Sequence, residues 1–88
     1  LPNDAQLYRA YSAFLLANDR SDEALRLARS EQARRPAAPL GYILEGDALA
    51  ALGKLEEAES VLELALQRQP VAPLAVRLFA VKTARSDA

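Results

Sequence analysis

Cysteine, histidine, methionine and tryptophan are all missing from this chain of 88 residues. Without cysteine there is no disulfide framework and no thiolate metal site, and the redox compartment stays open. Without histidine the usual general base and the commonest metal ligand are gone. Without methionine a translated product does not start at Leu1, so the sequence is expected to be a processed or excised piece of a longer protein. β-Branched aliphatics are scarce, with four Val and one Ile against a dominance of Ala and Leu, so helix is expected almost throughout. Neither sign of charge prevails: eleven basic residues stand against twelve acidic ones, which removes the field that draws a nucleic acid or an anionic membrane. No apolar run approaches the roughly 20 residues that cross a bilayer, and the N-terminus lacks the basic and apolar regions of a signal peptide. The expectation is a soluble chain with no nucleic-acid partner and no membrane insertion.

Catalytic chemistry is also short of parts. Carboxylates such as Glu56 and Glu59, and the hydroxyl of Ser60, have no base, glycine-rich phosphate loop or metal-ligand cluster beside them. The sequence therefore predicts no catalytic residue, no cofactor and no metal, and a protein that is not an enzyme.

What the chain does have is a repeat. "PAAPLG" from Pro36 to Gly41 returns as "PVAPLA" from Pro70 to Ala75, thirty-four residues later. The same shift places Pro2 on Pro36, Tyr8 on Tyr42, Leu15 on Leu49, Ala24 on Ala58, Leu44 on Leu78 and Gly46 on Ala80. A period of this length marks a stack of supersecondary units, none of which buries its apolar face alone.

Each unit has the punctuation of two helices. In the second, Pro39 suits a first helical position and Gly53 a left-handed turn that ends the helix near Leu52. Glu56 and Glu57 then favour the first turn of the next helix, Ala58, Val61, Leu62, Ala65 and Leu66 follow at helical spacing, and Pro70 closes it. In the first unit Asn18 and Asp19 tolerate the turn, Ser21 offers a cap, Asp22 and Glu23 fill the first turn, and Pro36 closes. The spacing predicts five helices, near residues 4–17, 21–34, 38–52, 55–68 and 72–84, in an all-α array.

These residues resemble the tetratricopeptide repeat family, whose thirty-four-residue unit favours an aromatic early in helix A, a small residue one turn on, Gly at the turn, Ala in helix B and a closing Pro. Tyr42, Gly46, Gly53, Ala58, Ala65 and Pro70 match it, most specifically in "LGKLEEAESVLELALQRQP" from Leu52 to Pro70. In the first unit Ser12, Asp19, Ala24 and Pro36 fit, but Glu31 stands where Ala65 stands in the second. A buried unpaired carboxylate is costly. Either that helix is locally rotated or Glu31 reaches solvent beside Arg34 or Arg35. The resemblance implies an α-α superhelix of about two and a half repeats, near 5–38, 39–72 and a half repeat from 73 to 88. It spans essentially the whole chain.

The resemblance also implies a function: a protein-protein interaction scaffold whose A helices line a concave groove holding a peptide or partner helix. Carried onto this sequence, the groove takes Gln6, Arg9, Ala13, Leu16 and Ala17 from the first A helix. The second gives Leu40, Ile43, Asp47, Ala50 and Ala51, and the third Leu74, Arg77, Val81, Ala84 and Arg85. Leu40, Ile43 and Leu74 are the expected apolar anchors, with Arg9, Asp47 and Arg77 at the rim. A chaperone-type carboxylate clamp is not expected, since Ala13 replaces its Asn, and Leu40 and Leu44 stand where Lys or Arg is needed. The alternative is a structural spacer or assembly segment of a longer bacterial repeat protein, of a secretion or exopolysaccharide system, cytoplasmic or periplasmic; the Ala, Leu and Arg bias points to a GC-rich gene.

Other features have plainer readings. At helical spacing Tyr8, Tyr11, Phe14, Tyr42 and Phe79 are expected in the core. The acidic second unit, Lys54 and Arg68 against Glu45, Asp47, Glu56, Glu57, Glu59 and Glu63, is expected to be a solvated face. Arg34 and Arg35 complement a helix dipole. Val76 and Phe79, on a last A helix without its own helix B, are expected to face water together and to support a homodimer or end-to-end stacking through that helix at high concentration.

Overall fold

The computed structural model describes residues 4–87, and among them the chain is all-α, five helices joined by short turns: α1 (Asp4–Ala17), α2 (Ser21–Arg34), α3 (Leu40–Ala51), α4 (Leu55–Arg68) and α5 (Ala72–Asp87). Acidic residues open α1, α2 and α4, and Arg34, Arg68 and Arg85 sit in the last turns of α2, α4 and α5, each opposing the local end of the helix dipole. No helix among the described residues is long and apolar enough to cross a membrane.

The thirty-four-residue period is also a period of backbone hydrogen bonds. Arg20 N–H donates to Leu15 O at 2.8 Å and Lys54 N–H to Leu49 O at 2.9 Å, closing the turns α1–α2 and α3–α4 in the same way. At the centre of each turn one residue takes a left-handed conformation, Asp19 at φ 59 and Gly53 at φ 79. Arg35 N–H to Glu31 O and Gln69 N–H to Ala65 O, both 2.9 Å, end α2 and α4 alike. The chain thus folds as helical hairpins stacked in series, with α3 packed against α2, α4 and α5, and each A helix (α1, α3, α5) also touching the next.

Leu15, Leu49, Leu62 and Leu74 are the largest apolar side chains buried to near completion, and they join Ile43, Leu78 and Val81 in one cluster running from α1 to α5. A smaller cluster of Ala28, Leu40 and Leu44 sits under Tyr8. Small residues set the interhelical distances. A Cβ at Gly46 meets the Leu62 side chain at 2.9 Å, and one at Gly41 meets Gln32 Cγ at 2.6 Å and its backbone N at 2.9 Å. Ala24 and Ala58 are fully buried at equivalent places.

Local details depart from the sequence reading. Ser21 does not cap α2: it is the first helical residue, and Arg20 at the cap position makes no side-chain cap hydrogen bond. α3 starts at Leu40 rather than residue 38, although Pro39 already has helical dihedrals and its carbonyl accepts from Ile43 N–H. α5 runs three residues beyond the expected 84. Glu31 takes neither arrangement foreseen for it. Its residue is 1 % exposed, neither carboxylate oxygen has a hydrogen-bond partner, and the nearest charge is Arg34 Nη1 at 3.8 Å.

Candidate functional site

Four of the six expected anchor and rim residues surround one hollow on the A-helix side. Arg9, Ser12, Ala13 and Leu16 of α1, Ile43, Leu44 and Asp47 of α3, and Arg77 of α5 enclose about 180 Å³. The three A helices reach it because each hairpin adds its helix A beside the previous one. Arg77 Nε donates to Asp47 Oδ1 at 3.1 Å and Oδ2 at 3.4 Å, bridging α5 to α3 across the hollow. Burial pushes the Asp47 carboxyl up from its ordinary range, and the nearby Arg77 pulls it part of the way back. Arg9 makes no ion pair among the described residues, so the hollow has an apolar floor, one internally paired acid and a free guanidinium.

The apolar anchors sit deeper than the sequence reading placed them. Leu40, Ile43 and Leu74 are 7, 4 and 0 % exposed. Ile43 forms the floor of the hollow, Leu40 belongs to the cluster under Tyr8, and Leu74 faces a different hollow near Pro36 and Tyr42. The groove is therefore a floor of core residues with accessible polar groups above it, not a row of protruding side chains.

Three of the five aromatics lie outside the core, Tyr11 and Phe14 against expectation and Phe79 in line with the exposed pair expected on the last A helix. Tyr11, Phe14 and Phe79 are exposed, while Tyr8 and Tyr42 are half-buried. Leu7, Tyr11 and Phe14 lie four and three residues apart and so make an apolar stripe along α1. The spacing is visible in the sequence; its direction is not, because Gly41 and Glu45, in the same register of α3, face α2, and Ala48 is buried. On α5, Val76 and Phe79 are 58 and 72 % exposed. The acidic second unit is also more than a solvated face. Glu59 pairs with Lys82 and Arg85, Glu56 with Arg85, and Glu63 with Lys82, tying α4 to α5. Glu45 accepts from Gln32 Nε2 at 2.7 Å and Arg29 Nε at 3.3 Å, tying α3 to α2.

Among known proteins, the chain is 39 % identical over 69 residues to Protein STIP1 homolog of Dictyostelium discoideum, a match covering 78 % of this chain and 12 % of that protein. The matched length is two thirty-four-residue periods to within one residue. No protein-family profile and no solved structure matches the chain. The chain thus spans about an eighth of the length of that relative. The fold, the period and the match together support a tetratricopeptide-like helical repeat; the match, to a Dictyostelium protein, lends no support to a bacterial origin.

Proposed function

We propose that the protein is a protein-protein interaction scaffold that holds a segment of a partner protein across its A helices, at the hollow between Arg9, Ile43, Asp47 and Arg77. The observation that carries this reading is the convergence of three successive A helices on one concavity with an apolar floor and an unpaired guanidinium at its rim. Such a surface offers shape and a few polar fixing points. The likeness to Protein STIP1 homolog over two periods is a further support. Arg9 and Arg77 against Asp47 leave the rim net positive, so the preferred segment has apolar residues followed by an acidic one. The test is peptide-array binding by the wild type and by Arg9→Glu and Ala13→Trp, both at exposed positions. Binding should fall at least about tenfold in each variant, with unchanged helical melting. Peptides retained equally by both variants would instead favour a spacer.

A second reading rests on Val76 and Phe79, which stand exposed and adjacent on α5. Two copies meeting through this face give a homodimer that buries the pair. Sedimentation at high concentration should show association that Phe79→Glu abolishes; a strictly monomeric wild type rules it out.

A further inference from the structure

The second unit holds a hollow of about 220 Å³ between Pro36, Tyr42, Ala65, Arg68 and Leu74. It shares no residue with the A-helix hollow, and its occupant is independent of the function proposed for that site. The equivalent place thirty-four residues earlier is filled by the protein itself. Tyr8 and Arg34 hold the positions of Tyr42 and Arg68, but Glu31 stands where Ala65 stands, and Asp4 where Ala38 stands.

In the first unit the guanidinium carbon of Arg34 lies 5.1 Å from the centre of the Tyr8 ring. Its Nη1 is 3.8 Å from Glu31 Oε1 and its Nη2 is 3.6 Å from Asp4 Oδ2. The arginine thus has an aromatic face below it and two carboxylates beside it. In the second unit the ring and the guanidinium are kept while both carboxylates are replaced by alanine. Arg68 makes no hydrogen bond or ion pair among the described residues, and Tyr42 is fixed by donating its hydroxyl to Pro36 O at 3.0 Å. Space opens where the Glu31 side chain sits in the first unit.

We propose that this hollow receives a glutamate side chain from an extended segment of a partner protein, which lies beside Ala65, in the place Glu31 takes in the first unit, and accepts a hydrogen bond from Arg68. Glu31, tethered to α2, stays 3.8 Å from Arg34 and makes no such bond. The first unit is a copy of the site with its ligand supplied in cis, so its side chain sets the length: glutamate rather than aspartate. A smaller hollow of about 180 Å³ shares Tyr42, Ala65 and Arg68 and continues to Val61, Leu64 and Glu45, whose carboxylate is already held by Gln32 and Arg29. Leu64 is exposed there, so the residue next to the glutamate is apolar. An unpaired guanidinium beside an apolar wall favours a carboxylate over a neutral amide, since a charge-assisted hydrogen bond is about twice as strong as a neutral one.

The probe is an acetylated, amidated peptide Ala-Leu-Glu-Leu-Ala, with its glutamine counterpart as control, titrated into the 15N-labelled protein. The glutamate peptide should shift Tyr42, Arg68 and Gln69 resonances saturably and bind at least about tenfold more tightly than the glutamine peptide. Arg68→Gln should bring the two peptides to the same affinity. Ala65→Glu, which writes the first unit's arrangement into the second, should abolish the titration; if that variant does not fold, Arg68→Gln decides. No saturable shift at millimolar peptide, equal affinity for the two peptides, or affinity unchanged in Arg68→Gln overturns the proposal. So do shifts confined to Arg9 and Asp47, which belong to the A-helix hollow.

Discussion

The two hairpins of this protein share a backbone and divide their side chains differently. α1–α2 and α3–α4 turn through equivalent hydrogen bonds and equivalent left-handed residues, yet α3 is closed in by helices on several sides while α1 keeps its apolar stripe of Leu7, Tyr11 and Phe14 exposed. Where α3 has Gly41 against α2, α1 has Leu7 facing out. Where α4 has Ala65 beside a hollow, α2 has Glu31 buried in its place. The difference teaches that the repeat fixes helix paths, whereas burial at a given register position depends on which neighbours the helix has. A glycine is required only where a second helix comes within a side chain's reach.

The largest test of that comparison exchanges side chains at one register position. In an exposed helix interior Gly→Ala stabilises by about 0.5–1 kcal/mol. At Gly41 the new Cβ meets the Gln32 backbone N at 2.9 Å, which a rotamer change does not relieve. We expect Gly41→Ala to destabilise instead, by about 1–3 kcal/mol, and to lower the melting temperature by about 4–8 °C for each kcal/mol. Leu7→Ala, at the same register in α1, should stay within about 0.5 kcal/mol. Thermal melts of both variants read the comparison directly. A Gly41→Ala variant that melts above the wild type means α2 and α3 are not in close contact there.

How much of this was written in the sequence depends on whether the cause is local. Helix bounds were legible because Pro36, Gly53, Pro70 and the acidic first turns act on their own backbone, and three of the five helices match to the residue. Gly46 and Ala58 were legible as close contacts because the period marks them. Gly41 was not, since Leu7 and Ala75 occupy its register in the neighbouring units. Arg9, Ile43, Asp47 and Arg77 come together as their places on successive A helices imply, but the depth of Leu40, Ile43 and Leu74 follows from packing between hairpins. The outward turn of Tyr11 and Phe14 has the same origin: helical spacing says that residues share a face, not which neighbour covers it, whereas the exposure of Val76 and Phe79 on the last A helix was expected.

A second, smaller test concerns the buried carboxylate. Neither oxygen of Glu31 has a hydrogen-bond partner, and a buried polar group left unsatisfied costs about 1–3 kcal/mol. Arg34 would not be stranded by its removal, because it is partly exposed and keeps Asp4 at 3.6 Å. Glu31→Leu, which makes the first unit apolar like the second, should therefore raise stability by about 1 kcal/mol. A denaturant midpoint that falls instead means the carboxylate is held more strongly by Arg34 than its 3.8 Å separation indicates.

The smallest expected effect extends the comparison to charge. Acids of the first unit pair within their own hairpin, Asp4 with Arg34 and Arg35 and Glu23 with Arg20. In the second unit Glu45 reaches back to Arg29 of α2, while Asp47, Glu56, Glu59 and Glu63 reach forward to α5. The α5 cations pull the carboxyls of both Asp47 and Glu59 down, but burial outweighs them at Asp47. The Arg85 hydrogen bond, opposed by desolvation and helped by the charges of Arg85 and Lys82, holds the Glu59 carboxyl below its ordinary value of 4.5. Its contribution to stability is complete above that value and is lost as pH falls through the lower folded one. Asp47, raised above its ordinary 3.8 mainly by burial, does the reverse: it opposes folding at neutral pH, and the penalty is relieved as pH falls through its raised folded value. Melting temperatures followed from pH 7 to pH 3 should separate the two. Arg85→Gln should cost stability at pH 7 and progressively less as Glu59 protonates. Asp47→Asn should gain relative to the wild type as pH rises through the Asp47 value, because the neutral amide carries no charge to desolvate. If the Arg85→Gln deficit stays constant across that range, Glu59 does not couple α5 to the second hairpin through its charge.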